Sequence, residues 1–382
     1  MSADIEGTRH VPRDEADVAA IVAGTTRPLE PVGGGSKRQI GQPVFADVLD
    51  LCALTGIVSY EPAELVLTAH AATPLAAIEG ALASHAQRLA FEPPDFGTLL
   101  GDSSSTPLRP QTIGGVLAAN LAGSRRVTAG AARDHFLGFR AVNGRGEAFK
   151  AGGKVVKNVT GYDLPKLLAG SWGTLAVLTE VTLRVAPAPE LDRTLVVAAG
   201  STGECLALLG AALRSPHDVS AAAVDPERGS LLRLEGFAAS VEARTRALCD
   251  ELRCEPNDVL EGAVSRDCWQ RLASAAALAA SPVVWRISVP PADALRVLER
   301  LEADRYLVDW GGGSIFAAFD AVDAARVRGA LTTGHATLLK APAAARGATP
   351  VFQPQAPAVA AAASRVRNAF DPRGILNPGR MG

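Results

Sequence analysis

The second half of the chain repeats itself, and few folds accommodate the unit that it repeats. After Leu191 come a strand at Leu195–Val197, a helix at Glu204–Leu213, strands at Val219–Val224 and Leu231–Glu235, and a helix at Val241–Leu252. The same βαββα order returns as Val283–Val289, Ala292–Glu302, Tyr306–Trp310, Ile315–Phe319 and Ala321–Leu331, with a last strand at Ala336–Lys340. A unit of this kind, used twice, predicts a ferredoxin-like antiparallel sheet backed by helices.

The residues before it follow a different pattern. Short apolar runs are broken by glycine and proline clusters such as Leu29–Gly35 and Glu92–Gly97, which predicts an α+β unit. A helix is expected over Thr73–Ser84, with Thr73 as cap, Pro74 at the first helical position, and Leu75, Ile78 and Leu82 on one face. Val177–Ala186 alternates apolar and polar residues and reads as a half-buried strand, ended by Pro187-Ala-Pro189. At the far end, Ala356–Ala369 reads as an alanine-rich helix stopped by Asp371-Pro372, and the residues from Gly374 to Arg380 are expected to fold back onto the first unit. The expected division is 1–190, 191–345 and 346–382.

Composition narrows the function classes. With 382 residues, 48% of them apolar, the chain is long enough for two or three cores. No stretch of about twenty residues is free of charge, so no membrane span is expected. The first ten residues are polar and acidic where a signal peptide needs a basic end and an apolar run; the expected location is the cytoplasm, with any contact to the inner face of the membrane made through partners. A net charge of −2 with scattered Lys and Arg lacks the basic stripe that a nucleic acid requires. The five cysteines (Cys52, Cys205, Cys249, Cys254, Cys268) contain no C-x-x-C pair, which predicts neither a disulfide framework nor an iron–sulfur site in this chain.

Three glycine-centred segments carry the chemistry. Pro31-Val-Gly-Gly-Gly-Ser-Lys-Arg38 follows an extended run. Glycines there let successive backbone N–H groups converge on an anion and let a pyrophosphate approach the main chain, although a glycine triplet is also an ordinary turn. Neither G-x-x-x-x-G-K-[ST] nor G-x-G-x-x-G is present. In Gln111–Arg125, Gly114 and Gly115 open a short apolar helix that ends near Gly123, and a helix N-terminus favours phosphate. Gly152–Glu180 is a long glycine-punctuated stretch, rich in small residues, that carries Tyr162 and Asp163.

The order and content of these segments resemble, over nearly the whole chain, the FAD-binding fold of the vanillyl-alcohol oxidase and para-cresol methylhydroxylase superfamily. Within it, Glu92-Pro-Pro94, Lys157–Leu164, Gly170-Ser-Trp-Gly-Thr174 and Asn377-Pro-Gly-Arg-Met381 resemble the smaller FAD-binding subunits of glycolate oxidases. The resemblance implies a two-part FAD domain with the ferredoxin-like sheet as its cap. It implies that Gly33, Gly34, Gly35, Ser36 and Lys37, with Pro31, take one side of the pyrophosphate. Gly114, Gly115, Asn120, Gly123 and Ser124, with Thr112, would line the flavin and its diphosphate, while Val177, Thr179 and Glu180, with Gly173, would lie toward the adenosine end. Flavins in this superfamily are often tethered through a histidine in or near the first glycine loop. That loop holds none here, and noncovalent FAD is expected.

Oxidation of a small 2-hydroxy acid needs a base for the hydroxyl proton, a cation for the carboxylate and a flavin for the hydride. The six histidines are never closer than fifteen residues apart, so the closely spaced pair of the related larger flavin subunits has no counterpart. The remaining candidates are His335 at the head of the last cap strand, Tyr162 beside the flavin, and Arg380 as a counter-charge to reduced flavin; edge residue, buried aromatic and surface arginine are the respective structural alternatives. The implied partners are a larger flavin subunit and an iron–sulfur subunit, which would together oxidise glycolate to glyoxylate. Two other readings are a flavin-containing assembly and electron-relay module, and a stand-alone D-2-hydroxy-acid dehydrogenase.

Overall fold

The computed structural model describes residues 7–101, 109–153, 162–198 and 200–382, and most of the Lys157–Leu164 motif lies outside them. Two sheets organise the first half. In the smaller, Arg9–His10, Asp47–Asp50 and Leu29–Val32 lie side by side and parallel. The larger is antiparallel in the order Ile57–Glu61, Val66–His70, Ala176–Arg184, Phe136–Asn143, Ala148–Gly152.

The alternation over Val177–Ala186 gave a strand with one solvated face. The strand Ala176–Arg184 is instead central and largely buried on both faces. Thr182 can occupy the second face because its hydroxyl pairs with that of Thr68 at 3.0 Å, which satisfies both groups away from water. The helix expected over Thr73–Ser84 spans Leu75–Ala83 and buries Leu75, Ile78 and Leu82. Thr73 is not its cap: its hydroxyl donates to the carbonyls of His70 (2.7 Å) and Gly56 (3.1 Å), fixing the turn that precedes the helix.

The second half forms one eight-stranded antiparallel sheet, in the order Asp258–Glu261, Leu191–Val197, Gly229–Gly236, Val219–Asp225, Arg305–Asp309, Ser314–Phe319, Val283–Ser288, His335–Lys340. Each copy of the repeat contributes four strands in the order fourth, first, third, second, and the two second strands meet at Val224 and Val308. Sequence reading missed the fourth strand of the first copy, Asp258–Glu261. It is a short, mostly exposed edge strand with no apolar alternation to reveal it.

The two faces of this sheet do different work. Helices Thr202–Arg214, Ala238–Leu252, Ala294–Leu301 and Ala324–Gly329 cover one face, contributing Leu209, Val241, Val297 and Val327 to a core with Trp285 and Ile287. On the other, Val284, Leu307, Phe316 and Leu339 enter the same core as Ile78, Phe91 and Leu178 of the first half. The sheet and the first half are therefore joined by continuous apolar packing rather than by a linker alone.

A buried charge network reinforces the seam. Arg233, fully buried on the sheet, donates to Asp192 (3.0 Å) and to Glu92 of the first half (2.7 and 2.9 Å). Glu235 accepts from Arg125 at 3.1 Å and from Arg88. Burial alone would lower the Arg233 pKa, but the bond to Asp192 and the charges of Glu92 and Glu235 raise it. Glu235 is held at about 2 by Arg233, Arg125 and Arg88 against the burial that would raise it.

The C-terminal residues complete the smaller sheet. Leu29 N–H donates to the Ile375 carbonyl (2.7 Å) and Asn377 N–H to the Leu29 carbonyl (2.9 Å), a parallel bridge centred on Leu29 and Leu376. The helix before them, Pro357–Phe370, buries no side chain fully. Among the described residues no helix is long and apolar enough to cross a membrane.

Candidate cofactor cleft

One cleft of about 870 Å³, counting its open mouth, is lined by all three glycine segments. The first contributes Pro31, Gly33, Gly34, Gly35, Ser36 and Lys37, the second Thr112, Gly114 and Gly115, and the third Gly173 and Val177. The chain enters it from the strand Leu29–Val32, whose parallel pairing with Asp47–Asp50 and with Leu376 fixes where the loop begins.

Among the described residues, the backbone N–H groups of Gly33, Gly34, Gly35, Ser36 and Lys37 donate no hydrogen bond. Five successive amides without an acceptor, turned around a cleft, are a strong demand for an anion, because unpaired backbone donors are rare in folded proteins. The loop is held tightly: a Cβ on Gly34 would stand 1.9 Å from the Pro110 carbonyl oxygen. Lys37 adds charge at the same place. Its Nζ donates to Ser36 Oγ (3.0 Å) and Gln111 Oε1 (3.4 Å), and dehydration lowers its pKa to about 8, with Asp95 opposing weakly.

The second segment behaves differently from the expectation. Its helix spans only Ile113–Ala118, capped by Thr112. Gly114 N–H is already bonded to the Ala71 carbonyl at 2.8 Å, and a Cβ on Gly114 would lie 2.7 Å from that oxygen. The glycine is needed for close packing, not as a phosphate donor. What this segment offers the cleft is the small apolar surface of Ala118 and Ala119, beside Ala71, Ala72 and Leu178. An amide cradle with a cation next to an apolar floor of small residues suits an elongated molecule with an anionic middle and flat ends. The residues present fit a dinucleotide such as FAD.

Several expected site residues lie elsewhere. Asn120 adopts φ +49° and accepts from Arg133 N–H at 3.0 Å, a turn role. Gly123 and Ser124 belong to the seam: the Gly123 carbonyl accepts from Trp310 Nε1 (3.1 Å), and Ser124 Oγ donates to Asp309 (2.8 Å). Thr179 points away and donates to Glu15 at 2.6 Å, and Glu180 lies outside the cleft lining. Tyr162 is 90% exposed, so it neither stacks in the cleft nor bonds within it. His335 begins its strand at the edge of the cap sheet and is exposed.

Arg380 does line the cleft, but its charge is committed. It is paired with buried Glu30 and donates to the carbonyls of Arg38 (2.8 Å) and Ile40 (3.0 Å). It clamps the glycine loop to the C-terminal segment, and a guanidinium so engaged is a poor counter-charge for anything else. Sequence reading did not single out its partner Glu30, nor Trp172 and Asn377, both in motifs it quoted; Asn377 Nδ2 donates to the Trp172 carbonyl at 2.8 Å and closes one wall. Their roles depend on pairings across the whole chain. Among the described residues, no three His, Cys, Asp or Glu side chains converge to hold a metal.

Comparison with known proteins points to the same cofactor. A family model described as an FAD binding domain matches residues 10–152. The chain is 34% identical to the glycolate oxidase subunit GlcE of Escherichia coli, over 93% of this chain and 92% of that one. It is 32% identical to the glycolate oxidase subunit GlcD of Bacillus subtilis over 39% of this chain and 29% of that subunit. Among solved structures, an alkyldihydroxyacetonephosphate synthase superposes with a TM-score of 0.68 at 14% identity, covering 97% of this chain and 76% of that one, a likeness of fold.

Proposed function

The chain belongs to the family of the glycolate oxidase subunit GlcE, and from that premise we propose that it is the FAD-binding subunit of a complex that oxidises glycolate to glyoxylate. FAD, when bound, takes the hydride from the carbon that bears the hydroxyl. The chain's own part is to hold the diphosphate on the amides of residues 33–37 and on Lys37, and to keep water from the cofactor with the cap sheet. His335, on the cap sheet edge, is the proposed acceptor of the hydroxyl proton: partial dehydration, then Arg286 and Arg126, lower its pKa, which favours the neutral form a base requires. The binding is proposed to be noncovalent, since the Pro31–Arg38 loop has no histidine. Residues 1–190 and 346–382 would form the FAD part and 191–345 the cap.

Electrons would leave to an iron–sulfur subunit alongside a larger flavin subunit. The word subunit in the names of both glycolate oxidase relatives supports an assembly. The observation that carries the cofactor reading is the run of five amides without acceptors at the cleft. The test is to purify the chain, record its visible spectrum, and add glycolate or D-lactate under nitrogen. A yellow chain that releases its flavin on acid precipitation supports the reading; one that stays colourless, and refuses FAD even with its companion subunits, ends it.

A second reading, an electron-relay and assembly subunit, is favoured by two observations: Arg380 is paired with Glu30, and Tyr162 faces solvent. Under that reading glycolate leaves the flavin absorbance of this chain unchanged, and replacing His335 leaves turnover of the complex intact.

A further inference from the structure

The seam between the first half and the cap sheet holds a second group of cations, none of which lines the cofactor cleft. Arg126 follows the Gly123–Arg125 turn, and its guanidinium carbon lies 4.8 Å from the centroid of the Trp310 ring. Arg286, on the cap strand Val283–Ser288, lies 6.0 Å from the same centroid. Residues 284, 286 and 288 share one side of that strand, and Val284 marks it as the side packed against the first half. His335 pairs with Ser288 on the next strand and completes the group.

Among the described residues neither guanidinium donates a hydrogen bond or forms an ion pair. The nearest acidic influence on Arg126 is Asp134, whose Oδ2 is engaged with Ala131 N–H at 2.8 Å. Three buried arginines are paired with carboxylates, Arg233 with Asp192 and Glu92, Arg125 with Glu235 and Arg380 with Glu30, whereas buried Arg346 donates only to the Gly41 carbonyl. Two half-buried cations that face one ring with no carboxylate between them are placed to gain from an anion that joins them. Dehydration, then Arg126, lowers the Arg286 pKa to about 10, and His335 is depressed by the same neighbours. In all three groups dehydration is the main cause, with the neighbouring cations adding to it.

The indole is fixed in place. Trp310 adopts φ +55°, a left-handed conformation that costs about 1 kcal/mol or more in a bulky residue. Its backbone N–H donates to the neighbouring Asp309 (2.7 Å) and its Nε1–H donates to the Gly123 carbonyl (3.1 Å), so the ring itself is tied across the seam. A rigid aromatic plane flanked by two forked donors matches a small planar anion.

We propose that Arg126 and Arg286, arranged about Trp310, bind the carboxylate of a small organic acid at the junction of the two halves. The assignment rests on the flavoenzyme reading above and gives it a place for substrate or product, with His335 at the margin. Inorganic oxyanions share part of this chemistry, so the test separates the two sources.

The FAD-loaded full chain is titrated calorimetrically with glycolate, with its uncharged isostere glycolamide, with oxalate and with sulfate. Glycolate and oxalate are expected to bind, glycolamide at least tenfold more weakly, and sulfate more weakly than either acid. Arg126→Met and Arg286→Met should each weaken glycolate at least tenfold at unchanged flavin content, with Arg286→Lys intermediate. If a variant does not fold, the parent still decides: glycolate should raise the pKa of His335 followed by NMR, with His335→Gln to assign the signal. Equal binding of glycolamide, tighter binding of sulfate, loss of flavin with either arginine, or an unmoved His335 overturns the proposal. A chain that takes no FAD sinks the cofactor reading instead, whereas a yellow chain indifferent to the carboxylate sinks only this one.

Discussion

Lys37 illustrates how one side chain ties burial to pH. Its pKa is lowered to about 8 because dehydration disfavours its charge, and a diphosphate beside it would restore that charge. FAD affinity should therefore be greatest below about pH 8 and fall as pH rises through it, while the stability of the FAD-free chain gains from Lys37 between pH 8 and its ordinary value of 10.5, where the unfolded chain holds more protons. Lys37→Met should weaken FAD at least tenfold at pH 7 and remove the pH dependence, as read by fluorescence titration. Asp309 has the opposite character: burial raises its pKa to about 7 despite bonds from Ser124 Oγ and Trp310 N–H. A raised acid stabilises the fold at low pH and loses that contribution as pH climbs from about 4 to 7. Asp309→Asn should flatten this slope in melts from pH 4 to 8 and be the more stable form at pH 8. At this scale the first glycine loop was legible, because its chemistry is written in consecutive residues. Gly123, Ser124 and Arg380 were not, since each is assigned by a partner about 185 to 350 positions away.

Elements of the cap were legible because each copy of the repeat carries the same order of apolar strand runs and amphipathic helices. The Asp258–Glu261 strand escaped because an exposed edge imposes no such pattern, and the central strand Ala176–Arg184 was read as one-faced because hydroxyls at Thr182 and Thr68 can be buried in pairs. The short helix Ile113–Ala118 shows the converse: Gly114, which looks like part of a phosphate signature, serves a close approach to Ala71. The attachment of cap strand to first half is where energetics can be tested. Arg233→Met removes the cation shared by Asp192, Glu92 and Glu235 and leaves buried carboxylates uncompensated, a loss of about 3–5 kcal/mol. Chemical denaturation at pH 7 should report that loss, and replacing exposed Arg305, paired with Glu227 at 3.0 Å at the surface, should cost under about 1 kcal/mol.

Across the whole molecule the half that carries the cleft is discontinuous in sequence, because the C-terminal residues rejoin it beyond the eight-stranded sheet. The last residues supply a strand partner for Leu29, a wall through Asn377 and a clamp on the glycine loop through Arg380. Arg380→Met should lower stability by about 3 kcal/mol, the low end for a broken buried pair because Glu30 keeps Arg38, and it should shed flavin faster in gel filtration. A nascent chain meets the same requirement: the loop that would cradle the diphosphate is synthesised about 340 residues before the arginine that clamps it. Under the proposed function, firm cofactor loading would wait for Arg380 to emerge, and a chain released before that residue would hold its flavin poorly.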